Sequence, residues 1–223
     1  MSGELRAATR ADFAGLPVAV APLLLGAHLS TTVGGESVTV RLTEVEAYHG
    51  LGTGAVADPG SHARMGPTAR NATMWGEPGH LYVYLSHGIH SCVNVVCAPV
   101  GVAGGILLRA GEIVEGTDAA ARRRPAARSV RDLARGPGRL GDAVGLRHPI
   151  HDGIDAITGA EHHGAVARLW LRREPLVAVA TGPRVGVAGA AGTDVFPWRF
   201  WIEGEPTVSP FRWGRGAGPA PAG

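Results

Sequence analysis

Three short apolar runs set apart by glycine constrain this chain more than any other feature. Residues 81–86, 91–97 and 105–110 are separated by Gly88 and by Gly101 to Gly105, the pattern of an antiparallel meander. The first run alternates, with Leu81, Val83 and Leu85 on one face and Tyr82 and Tyr84 on the other. Upstream, Val38, Val40 and Leu42 lead with the same period into Glu44 and Glu46. Both acids therefore leave that strand on one side, about 6–7 Å apart. With 34 Gly and 16 Pro in 223 residues, frequent turns and short elements are expected rather than long helices. A hydrophobic content of 45% in a chain of this length is enough for one buried core.

The remaining segments fill in an α+β domain. Asp12 to about Leu29 reads as a short helix, a proline-bearing connection and a second apolar helix, with a turn at Gly34-Gly35 into the acidic strand. Leu51–Pro78 is a long loop carrying His62, Arg64, Arg70 and Asn71, and loops of that length are commonly functional. Thr117 and Asp118 can cap a helix over Ala119–Arg124 that stops at Pro125, and Ser129 to Asp132 is a capping box for another. Arg168–Thr181, Arg184–Ala188 and Trp198–Ile202 read as further strands. The expected architecture is a flexible stretch 1–12, one domain over 13–213 with a curved antiparallel sheet flanked by short helices, and a disordered Gly, Pro and Ala tail over 214–223.

The formal charge of +2 permits a nucleic-acid partner without requiring one. All 21 basic residues are arginine, and seven of them lie from Arg122 to Arg139 against one acid, Asp132. That stretch either meets phosphates or forms a solvated helix face. Within it, Leu133 to Leu140 sets Gly136-Pro137-Gly138 between two short helices, whose free N–H groups could hold a phosphate together with Arg135 and Arg139. Cys92 and Cys97 point to opposite faces of one strand and do not pair readily, which fits a reducing compartment. His87 and His90, and the adjacent His162 and His163, have no convincing third ligand, so no metal is expected. The Leu16–Leu25 run is interrupted by Pro17 and Pro22 and is too short to span a bilayer. A soluble, cytoplasmic protein is expected.

Two carboxylates closing on a partly dry pocket can supply a general base near neutral pH. The bland alternative is an acidic strand end facing water. Tyr82 and Tyr84, near a strand that ends at Tyr48, offer a stacking surface for a planar ligand, or else pack over a sheet edge.

Taken together, Glu44-Val-Glu-Ala-Tyr48, Ser61-His62, Arg70-Asn71, Leu81-Tyr-Val-Tyr84, Cys92-Val-Asn94 and Leu107-Leu-Arg-Ala110 resemble, in order and spacing, the alkyladenine (3-methylpurine) DNA glycosylases. The resemblance continues through Gly136-Pro-Gly-Arg-Leu140, Gly182-Pro-Arg-Val-Gly186 and Pro197-Trp-Arg-Phe200 to Val208-Ser209. It implies a cofactor-free enzyme, expected to be a monomer, that acts on damaged purines in double-stranded DNA. It assigns Glu46 to activating water and Arg109 to holding it, with Glu44 as a tuning neighbour. Tyr48 and Tyr84 would sandwich the extruded base, His62 would complete the wall, and Asn94 would crowd the exocyclic amine of guanine.

Two departures stand out. His87-Gly88-Ile89 replaces the family's Tyr-Gly-Met, so the residue expected to intercalate is a histidine, with less stacking surface. Arg139 stands where the family's Gly-Pro-Gly motif has lysine. A superficial likeness of 133–140 to the helix-hairpin-helix of another glycosylase superfamily is set aside, because the acid, tyrosine, histidine and arginine constellation lies upstream of the hairpin. Arg64 and Arg70 complete the expected phosphate contacts. With no lysine in the chain, imine chemistry on a sugar has only the α-amino group of Met1 left to it. Monofunctional hydrolysis is the resulting expectation. The alternatives are a non-catalytic binder of distorted DNA and a nucleoside hydrolase.

Overall fold

The computed structural model describes residues 4–52 and 57–219. Its strands are β1 (Leu5–Ala7), β2 (His28–Val33), β3 (Glu36–His49), β4 (His80–Ser86), β5 (His90–Val96), β6 (Gly104–Glu115), β7 (Ile154–Asp155), β8 (Ala165–Arg172), β9 (Val179–Gly182) and β10 (Arg199–Ile202). The helices are short: α1 (Pro17–Val20), α2 (Thr117–Arg123) and α3 (Pro137–Val144). All strands join one sheet in the order β1-β8-β2-β3-β6-β5-β4-β7, with β9 and β10 added beside β3. Every pairing is antiparallel. This is the α+β architecture with a curved antiparallel sheet that the sequence pattern implies.

β3 organises the sheet. One edge pairs with β6 along most of its length, and the other is shared, β2 taking Glu36–Arg41 and β10 taking Glu44–Glu46. Val38, Val40, Leu42, Val45 and Ala47 are all fully buried in the main apolar core. The core-facing phase therefore passes from even to odd numbers between Leu42 and Val45, where the register against β6 slips and recovers. Irregularities of this kind re-aim side chains. Strict alternation from Val38 would carry Glu44 and Glu46 into aliphatic surroundings. The slip turns them, with Tyr48, to the opposite face.

The meander is present as β4, β5 and β6. Leu81, Val83, Val93, Val95, Ile106 and Leu108 enter the main core, while a smaller cluster of Ala63, Met74, Tyr82, Val96 and Ala103 with Trp75 and Tyr84 forms on the other face. That second cluster fastens the long loop after β3 to the sheet. Asn71 ties the loop to itself: its Oδ1 accepts from Thr68 N at 2.6 Å, and its Nδ2 donates to His62 O at 2.9 Å and Gly66 O at 3.2 Å. Residues 53–56 of this loop lie outside the described residues. α3 packs on β5 through glycine. A Cβ on Gly141 would stand 2.0 Å from Ser91 O, and one on Gly138 would stand 2.8 Å from the Cβ of His90.

Several local readings give way. Residues 28–33 form β2, not the end of an apolar helix, because Leu29 and Thr31 alternate inward and the Thr31-Thr32-Val33 run is β-branched. Upstream there are only single turns at Arg10–Phe13, Pro17–Val20 and Ala21–Leu24. Arg184–Ala188 is a turn, with Gly186 at φ 70°, rather than a strand. The third meander strand runs on past residue 110 to Glu115. The capping box at Ser129 starts one 3-10 turn only, with Ser129 Oγ donating to Asp132 Oδ2 at 2.8 Å. Leu5–Ala7, in the stretch expected to be flexible, pairs with β8. In the tail, Arg215 O accepts from Gly189 N at 3.0 Å; residues 1–3 and 220–223 lie outside the described residues. Among the described residues no helix is long and apolar enough to cross a membrane.

Candidate active site

The re-aimed end of β3 places Glu44 and Glu46, both fully buried, in a cage of cations and N–H donors. Glu46 Oε1 accepts from Val185 N at 2.7 Å, and Oε2 accepts from the Tyr48 hydroxyl at 2.9 Å. Arg109, projecting from β6, bridges the two acids: its Nη1 lies 3.3 Å from Glu46 Oε1 and its Nε donates to Glu44 Oε1 at 2.9 Å. Glu44 also accepts from Arg199 Nε at 2.7 Å, Ser209 Oγ at 3.0 Å and Ser209 N at 2.7 Å. Buried carboxylates persist only when paired and hydrogen-bonded to this extent. Burial works against the charge of Arg109, but Glu46 and Glu44 outweigh it and raise its pKa. The Arg109 end of the cage is nearest to solvent, with 8% of the residue exposed against none of either glutamate.

A second buried pair backs Tyr48. Arg184 is completely buried and grips Asp58 with two bonds of 2.8 Å. Its guanidinium carbon sits 4.5 Å above the Tyr48 ring, with Trp198 and Phe196 also within cation–π range. One face of Tyr48 is thereby occupied from behind. Burial, then the charge of Glu46, pushes the Tyr48 hydroxyl well above its ordinary pKa, so it stays a proton donor to Glu46.

Tyr48 also lines a cavity of about 230 Å³, together with Gly60, His62, Met74, Tyr82, Tyr84, Asn94 and Val187. Pockets for drug-sized ligands run from about 300 Å³ upward, so this one suits a single flat ring system. The Tyr82 and Tyr84 rings stack at 5.5 Å and 23°, and His62 meets Tyr84 edge-on at 4.6 Å. His62 Nδ1 is 3.3 Å from the Tyr82 hydroxyl. Burial pushes Tyr82 up to about 12 and Tyr84 higher still. Burial also lowers His62, helped by repulsion from Arg70 and Arg64. Asn94 Nδ2 donates to Tyr82 O at 3.1 Å, which fixes its side chain at the cavity wall.

The structure thus gathers Glu46, Arg109, Tyr48, His62, Tyr84 and Asn94 around one site. The other sequence candidates lie outside the cavity lining, at a rim that carries His87 and Arg139. His87 heads the exposed β4–β5 turn at φ 51°, beside Gly88 at 71° and Ile89, which is 73% exposed. His90, at the base of this turn, abuts Gly138 at the start of α3, so Gly136, Gly138 and Arg139 are its neighbours. Arg135 is partly engaged, donating to Val208 O at 2.9 Å. Arg64 and Arg70, on the long loop, hold Ser61 O and Leu85 O.

Sequence reasoning gave no role to Asp58, Arg184, Arg199 or Ser209. A signal existed, since Arg184 and Arg199 stand inside Gly182-Pro-Arg-Val-Gly186 and Pro197-Trp-Arg-Phe200, where a cation amid apolar residues needs a buried acid. Val185 N, a backbone donor, left no trace in residue type.

The sequence profile described as methylpurine-DNA glycosylase matches residues 11–206. A protein of Streptomyces avermitilis is 48% identical over 204 residues, covering 92% of this chain and 91% of its own length. One from Leifsonia xyli subsp. xyli is 50% identical over 199 residues, covering 86% and 87%, and one from Nocardia farcinica 48% over 198 residues, covering 88% and 87%. All three are provisionally named 3-methyladenine DNA glycosylases. Glu46 and the aromatic cavity lie within the matched span, and this chain belongs to the methylpurine-DNA glycosylase family.

Proposed function

We propose that the chain is a monofunctional glycosylase that rotates an alkylated purine out of duplex DNA and hydrolyses its N-glycosidic bond, with Glu46 as the base. The observation that carries this reading is the carboxylate of Glu46, buried and bonded to the hydroxyl of a ring that lines the cavity.

A base within a duplex must leave the stack before water can reach its sugar. Stacked between Tyr48 and Tyr84, with His62 at the edge, the base has C1′ presented toward Glu46 and Arg109. Glu46 takes a proton from water as the water oxygen bonds to C1′. The C1′–N9 bond breaks with its electron pair passing to the base, which leaves neutral if it was cationic and otherwise takes up one proton from solvent, balancing the one that Glu46 gives back. The negative charge of Glu46 also favours the oxocarbenium-like sugar formed on the way. Asn94, fixed by its bond to Tyr82 O, crowds the exocyclic amine of ordinary guanine and holds it off, while the positive charge of 7-methylguanine offsets that crowding by stronger stacking on the tyrosine rings. His87 fills the gap in the duplex, and Arg64, Arg70, Arg135, Arg139 and the Gly136 and Gly138 amides meet phosphates.

The relatives' names make 3-methyladenine the first lesion to test. Duplexes carrying 3-methyladenine, 7-methylguanine or hypoxanthine are expected to release free base and to leave an abasic strand that breaks only after alkali. Borohydride is expected to trap no protein on the DNA. Strand cleavage coupled to base release, with covalent trapping, would overturn the monofunctional reading.

A further inference from the structure

The structure points to a phosphate-binding cleft, separate from the Gly136 turn, on the surface between the chain after α2 and the start of α3. Arg124, Arg128 and Arg139 line a cleft of about 380 Å³ together with Ala126, Ala127 and Asp132. We propose that it takes one phosphodiester of the DNA strand flanking the extruded nucleotide. This rests on the glycosylase reading above.

Three observations converge there. Arg124 Nε is buried and has no hydrogen-bond partner, and a donor on a charged group left in that state calls for an acceptor. Its Nη1 is only loosely served, 3.7 Å from Asp142, an acid that also pairs with Arg147. Arg128 and Arg139 make no side-chain hydrogen bond or ion pair among the described residues. The one acid in the cleft is turned to other partners, Asp132 Oδ2 accepting from Ser129 Oγ at 2.8 Å and Oδ1 lying 3.9 Å from Arg135. Three guanidiniums with open donors around a polar hollow match a tetrahedral oxyanion.

Position selects a DNA phosphate over a free one. Arg139 follows Gly138, which abuts His90 at the base of the His87 turn, so a duplex entered by that turn runs past α3. A contact of this kind carries no sequence information. It adds affinity equally for damaged and intact DNA.

The test is the salt dependence of duplex binding by the wild type, R128A and R173A, the last an exposed arginine beyond β8. R128A is expected to lower the slope of log K against log salt by about 1. It should weaken lesion-bearing and intact duplexes by the same factor, while single-turnover base release at saturating enzyme stays at the wild-type rate. R173A should match the wild type. Trimming the duplex on the flank nearest the cleft should bring the wild type down to R128A. A wild-type slope in R128A, or equal losses in R173A, overturns the cleft as a phosphate site. A wild type that binds with salt-dependent affinity yet releases no base overturns the glycosylase reading and leaves the cleft standing.

Discussion

The cage around Glu44 and Glu46 and the rim around His87 and Arg139 are both rich in charge, and they are built on opposite terms. In the cage every acid is closed off from water and saturated. Glu44 alone takes four hydrogen bonds, from Arg109, Arg199 and Ser209, and Arg184 is fully buried against Asp58. At the rim, His87 and Ile89 project into solvent, and Arg128 and Arg139 make no side-chain hydrogen bond or ion pair among the described residues. On the proposed reading, the difference separates chemistry from docking. Groups that act on a developing charge gain most when fixed in a dry site before the substrate arrives, whereas groups that meet DNA phosphates must stay open until the DNA supplies the counter-charge.

That contrast can be broken by removing one member from each region. Arg184→Met leaves Asp58 unpaired in the interior and is expected to destabilise the fold by about 3–5 kcal/mol, a loss of roughly 6–20 °C in Tm by calorimetry. A change under 1 °C would contradict the view of the cage as a unit. Tyr48→Phe keeps the ring but removes the 2.9 Å bond to Glu46. Hydrogen bonds to charged groups contribute about 1.5–3 kcal/mol, so single-turnover base release should slow by about 10–100-fold with little change in duplex affinity.

The pH dependence sharpens the same contrast inside the cavity. His62 is held below its ordinary value of 6.5, first by burial and then by Arg70 and Arg64. It is therefore neutral at pH 7 and becomes charged only as pH falls through the lowered value. Its charge would then oppose a cationic base more than a neutral one. The ratio of 7-methylguanine to hypoxanthine release should fall in the wild type as pH drops through the lowered value and stay level in His62→Gln; parallel loss in both proteins would remove His62 from selection. The smallest effect is at the rim. His87→Tyr should leave Tm within about 1–2 °C, as exposed substitutions usually do. It should tighten duplex binding by up to about tenfold through added stacking, with single-stranded binding unchanged.

Much of this division was legible in the chain, for reasons that also mark the limit. The meander and the pair of acids follow from period-two patterning, which is local. The slip at Leu42 to Val45 is not, because it arises from how β3 and β6 meet around Gly111, whose Cβ would stand 2.5 Å from Arg41 O. β2 was hidden because His28 to Val33 is too short to separate period 2 from period 3.6. Arg184 and Arg199 lie more than 120 residues beyond Asp58 and Glu44, so nothing in their own segments names the acid each one meets. The rim read more easily, since an arginine-rich stretch with few acids declares itself by composition.

The claim on which the account stands is that the buried Glu46 carboxylate drives water onto the sugar. Glu46→Gln keeps shape and hydrogen-bonding capacity while removing the base. Single-turnover release of the damaged purine from a lesion-bearing duplex, at saturating enzyme, should fall by about 10²–10⁴-fold, with duplex affinity and its salt slope unchanged. Release within a few-fold of the wild type would contradict it.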